Sequence, residues 1–258
     1  MRAMNIQVVA GGGGYTELKA SFKKNWPHYL QEALGLAIFM VSACFFGAMF
    51  GAKTSPWHVA IPNAFARSII MGIMMGLTAL FIFYSPFTAP SGSHINPAVT
   101  ITFLRLGKMC RWDASFYILF QFTGAVSAVY IMAMLMGSTL TAEPVNYVVT
   151  VPGKYGVLPA AITEFIIAFI MMAMVLFTSA AEKWKKYTRI ISSCLICVYV
   201  IVAGSISGFG MNPARSFASA VPARIYTGFW IYMIIPFASM LLAAELFLVV
   251  QKQRLIFE

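Results

Sequence analysis

The chain has 258 residues, of which 60% are hydrophobic and only 10% charged, with a mean hydropathy of +0.80. That balance excludes a soluble globular core and marks a polytopic membrane protein. A net charge of +10 would suggest a nucleic-acid partner in a soluble chain; in a membrane chain it reflects Lys and Arg gathering in cytoplasmic loops, and no nucleic acid is expected.

Residues 1–28 read as a cytoplasmic segment, a solvated, lipid-facing tail with glycines at 11–14 and lysines at 19, 23 and 24. No apolar stretch precedes a small-residue cleavage site there, so no secretory signal is visible. Six long apolar runs follow, at about 29–50, 64–85, 114–136, 158–180, 190–206 and 228–250. Each is close to the ~20 residues that a helix needs to cross a bilayer. Together, 29–250 form one membrane domain, with repeat one at about 29–136 and repeat two at about 158–250. Residues 137–157 join them as an extracellular loop, and 251–258 form a cytoplasmic tail. Cys194 and Cys197 have CxxC spacing but lie in an apolar run without His or acidic companions, so they read as small core residues.

The runs are organised by a stretch that occurs twice. Residues 91–100 read SGSHINPAVT and 207–216 read SGFGMNPARS, identical at five of ten positions and 116 residues apart. Each is a helix start: Asn96 and Asn212 are favoured N-caps, and Pro97 and Pro213 suit the first helical position, with Ala98 and Ala214 following. The helix-compatible residues behind them, 97–106 and 213–223, span about 15 Å, half of a ~30 Å hydrocarbon core. Neither helix crosses alone; two entering from opposite faces meet near the middle. The plan is span, span, half-helix, span, and then the same again. Three crossings per half is an odd number, so the second half is inverted. The fold class is therefore all-α: six transmembrane helices, two re-entrant half-helices and an inverted internal repeat. With both termini cytoplasmic, 13 of the 18 basic residues lie on the inner side, which sets the orientation.

Glu32 and Glu164 lie early in the first and fourth spans, one per half. Carboxylates at membrane depth mark function by default. They serve either as proton or cation sites of a coupled transporter, or as acceptors for backbone N–H groups of the re-entrant loops; their symmetry favours the second. His94 reads as a residue that orients its loop rather than a metal ligand. Glu245 lies late in the last span and reaches for the cytoplasmic edge. Arg215 sits in the first turn of the second half-helix, where a cation opposes the helix dipole, so local helix stability does not account for it. Each Asn side-chain oxygen caps its own helix, which leaves each amide NH2 free to face a pore. Two positive helix ends and Arg215 then oppose cations and protons, while a neutral hydrogen-bonding molecule passes. No nucleophile–base pair, metal cluster or phosphate loop is present, so neither an enzyme nor a cofactor is expected.

Two Asn-Pro-Ala motifs, six spans, paired early glutamates and Arg215, with Gln121 and Gly124 in the third span, resemble the aquaporin (major intrinsic protein) family over about 29–250. The resemblance implies a homotetramer in the plasma membrane, one pore per protomer, and passive flow of water or small neutral solutes. It also implies a selectivity filter formed by Arg215, Phe209, Val200 and a second-span residue, Met75 or Gly76. Strict water channels carry His at the Val200 place and an aromatic in the second span; this chain has neither. Ser216 and Ala220 are water-like, Tyr232 agrees, and Met233 replaces a Trp. The expectation is a water channel with an apolar filter. The alternatives are an aquaglyceroporin-like facilitator and, further off, a proton-coupled transporter using Glu32 and Glu164.

Overall fold

The computed structural model describes residues 14–257, with side chains over 16–253; residues 1–13 of the N-terminal segment and residue 258 lie outside the described residues. In chain order the helices are α1 (Gly14–Gly51), α2 (Pro56–Ala60), α3 (Ala64–Tyr84), α4 (Pro97–Arg105), α5 (Arg111–Met136), α6 (Ser138–Thr141), α7 (Val157–Ala180), α8 (Thr188–Ser207), α9 (Pro213–Ala223) and α10 (Phe229–Phe257). Six of them, α1, α3, α5, α7, α8 and α10, are long and apolar enough to cross a membrane. The half-helices α4 and α9 start at Pro97 and Pro213 as the motif spacing requires.

The ends follow local chemistry. Asn63 caps α3 by accepting from the Ala66 N–H at 3.0 Å, and Gly208 closes α8 at φ 78°, in the left-handed region that glycine enters without strain. The spans are apolar on the outside as well as the inside. Phe65, Leu119, Met134, Leu135 and Leu158 are all exposed, which is stable only where the solvent is lipid.

The packing maps onto itself under the repeat. The α1–α5 pair answers to α7–α10, and α1–α3 to α7–α8; α3 and α8 pack across the centre. The half-helices are exchanged: α4 of the first half packs on α10, and α9 of the second on α5. Close approach needs small residues. A Cβ at Gly124 on α5 would fall on the Ala33 carbonyl of α1, so the best-packed pair depends on that glycine.

Two boundaries differ from the apolar pattern. The run at 29–50 is the inner part of a 38-residue helix, about 57 Å long. Its residues from 16 to 28 are not a loose tail. Asp113, 1% exposed at the start of α5, accepts from Ser21 and Tyr29 hydroxyls at 2.5 Å each and from Asn25 Nδ2 at 3.0 Å. At the other end α10 runs on to Phe257, so the tail expected from residue 251 continues the last helix. Glu245 forms a two-point ion pair with Arg105 at 2.8 and 3.1 Å, tying α10 to the end of α4.

Candidate functional site

The two re-entrant loops are built alike, position by position. Gly92, Ser93 and Ile95 have φ of 90°, 50° and 40°; their repeat partners Gly208, Phe209 and Met211 have 78°, 53° and 49°. Left-handed backbone at a β-branched Ile and a bulky Phe is strained and persists only where surroundings over-determine it. The glutamates do this. Glu32 accepts from Ser91 Oγ at 2.6 Å, the His94 and Ile95 N–H groups at 2.9 and 2.5 Å, and Gln121 Nε2 at 2.8 Å. Glu164 accepts from Ser207 Oγ at 2.6 Å and the Gly210 and Met211 N–H groups at 2.8 and 2.5 Å. Both are fully buried. Tyr117 and Tyr232 complete the cradles by donating to the Ser91 and Ser207 carbonyls at 2.9 and 2.7 Å.

Asn96 and Asn212 cap their half-helices. Asn96 Oδ1 accepts from the Ala98 N–H at 2.9 Å, and Asn212 Oδ1 from those of Ala214 and Arg215 at 3.1 and 3.3 Å. Pro97, Ala98, Pro213 and Ala214 are buried in the first turns. The amide groups are not both wholly free, as the caps alone suggest. Asn96 Nδ2 donates to the Met211 carbonyl at 2.9 Å, and Asn212 Nδ2 to the Ile95 carbonyl at 2.6 Å. Each loop thus ties down the other at the residue before its asparagine. An amide carries two N–H donors, so one per asparagine remains for the path between the loops.

Two cavities open on this junction. One, of about 380 Å³, is lined by Arg215, Val200, Phe209 and Met75 together with Phe39 and Arg67. The other, of about 110 Å³, contains Asn96, Asn212 and His94, and is also lined by Phe39 and Phe209. Those two aromatic residues border both cavities and mark where they meet. His94 stacks on Phe103 with ring centroids 4.7 Å apart, and its Nδ1 lies 3.3 Å from Thr100 Oγ1.

Of the two second-span candidates, Met75 takes the cavity wall and Gly76 does not. Gly76 faces α8, where a Cβ would stand 2.9 Å from Cys197 Cβ and 3.1 Å from the Ser193 carbonyl. Helical spacing separates the two by about 100° of rotation, and only one can face the pore. Arg215 is 9% exposed, and its Nη1 is buried without a hydrogen-bond partner; the Glu164 carboxylate acts on it through space but is bonded to its own loop. Phe39 was not distinguishable within an apolar run. One signal marks it: Phe39 stands seven residues after Glu32, and Met171, which lines the smaller cavity, seven after Glu164. Seven residues is two helical turns, so both point along the face of their glutamate.

Residues 19–247 match the family described as Major intrinsic protein. A probable aquaporin of NIP type from Nicotiana alata is 36% identical over 156 residues, covering 60% of this chain and 56% of that protein. Aquaporin NIP1-2 of Arabidopsis thaliana is 30% identical over 170 residues, 64% of this chain and 57% of that protein. The match thus spans little more than half the length of these two relatives. Aquaporin TIP2-1 of the same plant is 28% identical over 211 residues, covering 81% of this chain and 80% of that protein. Among solved structures, an aquaglyceroporin from Plasmodium falciparum covers 85% of this chain and 94% of its own at a TM-score of 0.69 and 18% identity, a likeness of fold alone.

Proposed function

The chain belongs to the major intrinsic protein family, and on that premise we propose that it is a passive channel for water that admits small neutral solutes such as glycerol only slowly. The observation that carries this reading is the reciprocal tie of Asn96 and Asn212 between two cavities that meet at Phe39 and Phe209. A molecule passing from one cavity to the other meets one spare N–H of each asparagine and two facing helix N-termini. Each end carries roughly half a positive charge. Cations, and protons relayed along a water file, meet that field; a neutral hydrogen-bond acceptor does not.

The selectivity filter in this reading is Arg215, Val200, Phe209 and Met75, with Phe39 in place of the absent second-span aromatic. It is apolar on three sides and offers donors on the fourth, which suits water and disfavours bulkier polyols. Val200 and Gly204, where a Cβ would meet nothing within 4 Å, widen the adjoining wall and favour a second reading, glycerol or urea facilitation. Glu32 and Glu164 act as scaffold: every bond on them comes from a donor, and neither lines either cavity. The protein works as a homotetramer in the plasma membrane with both termini cytoplasmic, the orientation that places most Lys and Arg inside.

Light scattering of proteoliposomes tests this. Fast shrinkage under a sucrose step with slow reswelling in glycerol is the expected result; fast reswelling would assign the chain to glycerol facilitation instead. Saturable uptake driven by a pH gradient and lost in Glu32→Gln would overturn the channel.

A further inference from the structure

The larger cavity has two charged groups in its wall, Arg67 and Arg215, and no carboxylate. Arg67, Met71 and Met75 line it from successive turns of α3, so Arg67 stands two turns, about 12 Å, from the Met75 end of the cavity. Its Nη1 is anchored by the Ile61 and Pro62 carbonyls at 2.7 and 2.9 Å. Among the described residues no acceptor meets its Nε or Nη2, so those donors stay unbonded on a side chain that lines the cavity. Arg215, whose Nη1 is buried without a partner, lines the same cavity at the positive end of α9. The nearest carboxylate, Glu164, is already held by three donors of its own loop. A field that repels cations is an attractive well for anions, and low-dielectric walls deepen it. The guanidinium fork matches planar oxyanions in particular, because two parallel N–H groups meet two oxygens.

We propose that this cavity is a binding site for a small planar monovalent oxyanion of the formate or nitrate class, drawn in by Arg67 and seated on Arg215. The Phe39–Phe209 junction behind Arg215 is apolar and stops a charged molecule where a water molecule can pass. The anion therefore occupies the pore without crossing it and reduces water flow. That consequence rests on the channel reading above; occupancy of the cavity does not.

The test is osmotic shrinkage of proteoliposomes in sodium formate on both sides, against sodium chloride of equal concentration, whose spherical anion cannot span two parallel N–H groups. Water flux is expected to fall by about half when formate reaches its dissociation constant. Arg67→Gln should raise the half-effective concentration several-fold, and Arg67→Lys, which keeps the charge, should leave it near that of the parent. Equal flux in the two salts, or a loss undiminished in Arg67→Gln, would overturn the site. If no flux above empty liposomes appears in either salt, the channel reading fails, and thermal unfolding of the detergent-solubilised protein decides the site separately. Formate then raises the midpoint over chloride in the parent and less in Arg67→Gln if the site exists, and leaves it unmoved if it does not.

Discussion

Phe39 shows how a single side chain can govern passage without any polar chemistry. Together with Phe209 it borders both cavities, while Met75 lines only the larger one. Cutting it back to Ala should join the cavities. Phe39→Ala is expected to raise glycerol and urea permeability several-fold relative to water in stopped-flow measurements, with Phe39→Leu in between. An unchanged glycerol-to-water ratio in both variants would remove Phe39 from the filter. Asn96, Asn212 and Arg215 were recognisable from their motifs, because cap and proline chemistry is local. Phe39 was not, since its spacing of two helical turns from Glu32 singles it out only once the fold shows that the glutamate's face points inward.

Helices in this chain meet at points where one small or one polar residue decides the fit. Asp113 is such a point at the start of α5. Four donors converge on it, three of them from the polar beginning of α1 and the fourth the Cys110 thiol at 3.2 Å. Asp113→Ala removes the acceptor that the three α1 donors share, a change that costs about 1–3 kcal/mol for a buried group left unpaired. The first turns of α1 should then open, and limited trypsin digestion should cut at Lys23 and Lys24 faster than in the parent protein. Unchanged cleavage would mean that Asp113 does not hold this end. The spans themselves were legible from their length and hydropathy. The extension of α1 was not, because residues 16–28 carry no bilayer signal and their acceptor lies some ninety positions away in sequence.

The two halves of the molecule are mutually dependent. Each glutamate holds its own loop in left-handed backbone, and each loop offers the carbonyl that the opposite asparagine needs. Damage to one cradle should therefore reach the other. Glu32→Gln and Glu164→Gln replace an acceptor in each, and the double variant should differ from the sum of the singles by about 0.5–3 kcal/mol, the range for residues sharing one network. A cycle of apparent unfolding free energies in detergent measures this. Strict additivity would mean that the halves fold independently and that the crossed asparagine bonds carry no coupling.

The architecture was already present in the order of residues. Six apolar runs, a repeated Asn-Pro-Ala and an odd number of crossings per half require an inverted pair of half-helices, because hydropathy, capping and parity act locally or simply add along the chain. The role of Glu32 and Glu164 was narrowed by symmetry, and the donors that surround them support the scaffold reading over the proton site. Rotation and approach were decided only by the packed structure. Whether Met75 or Gly76 faces the path, which carbonyl takes the spare amide of each asparagine, and which aromatic closes the gap all depend on contacts between segments far apart in the chain. Such contacts leave no periodic trace, because a one-residue turn of a helix that is apolar all round costs nothing in lipid and changes everything at the pore.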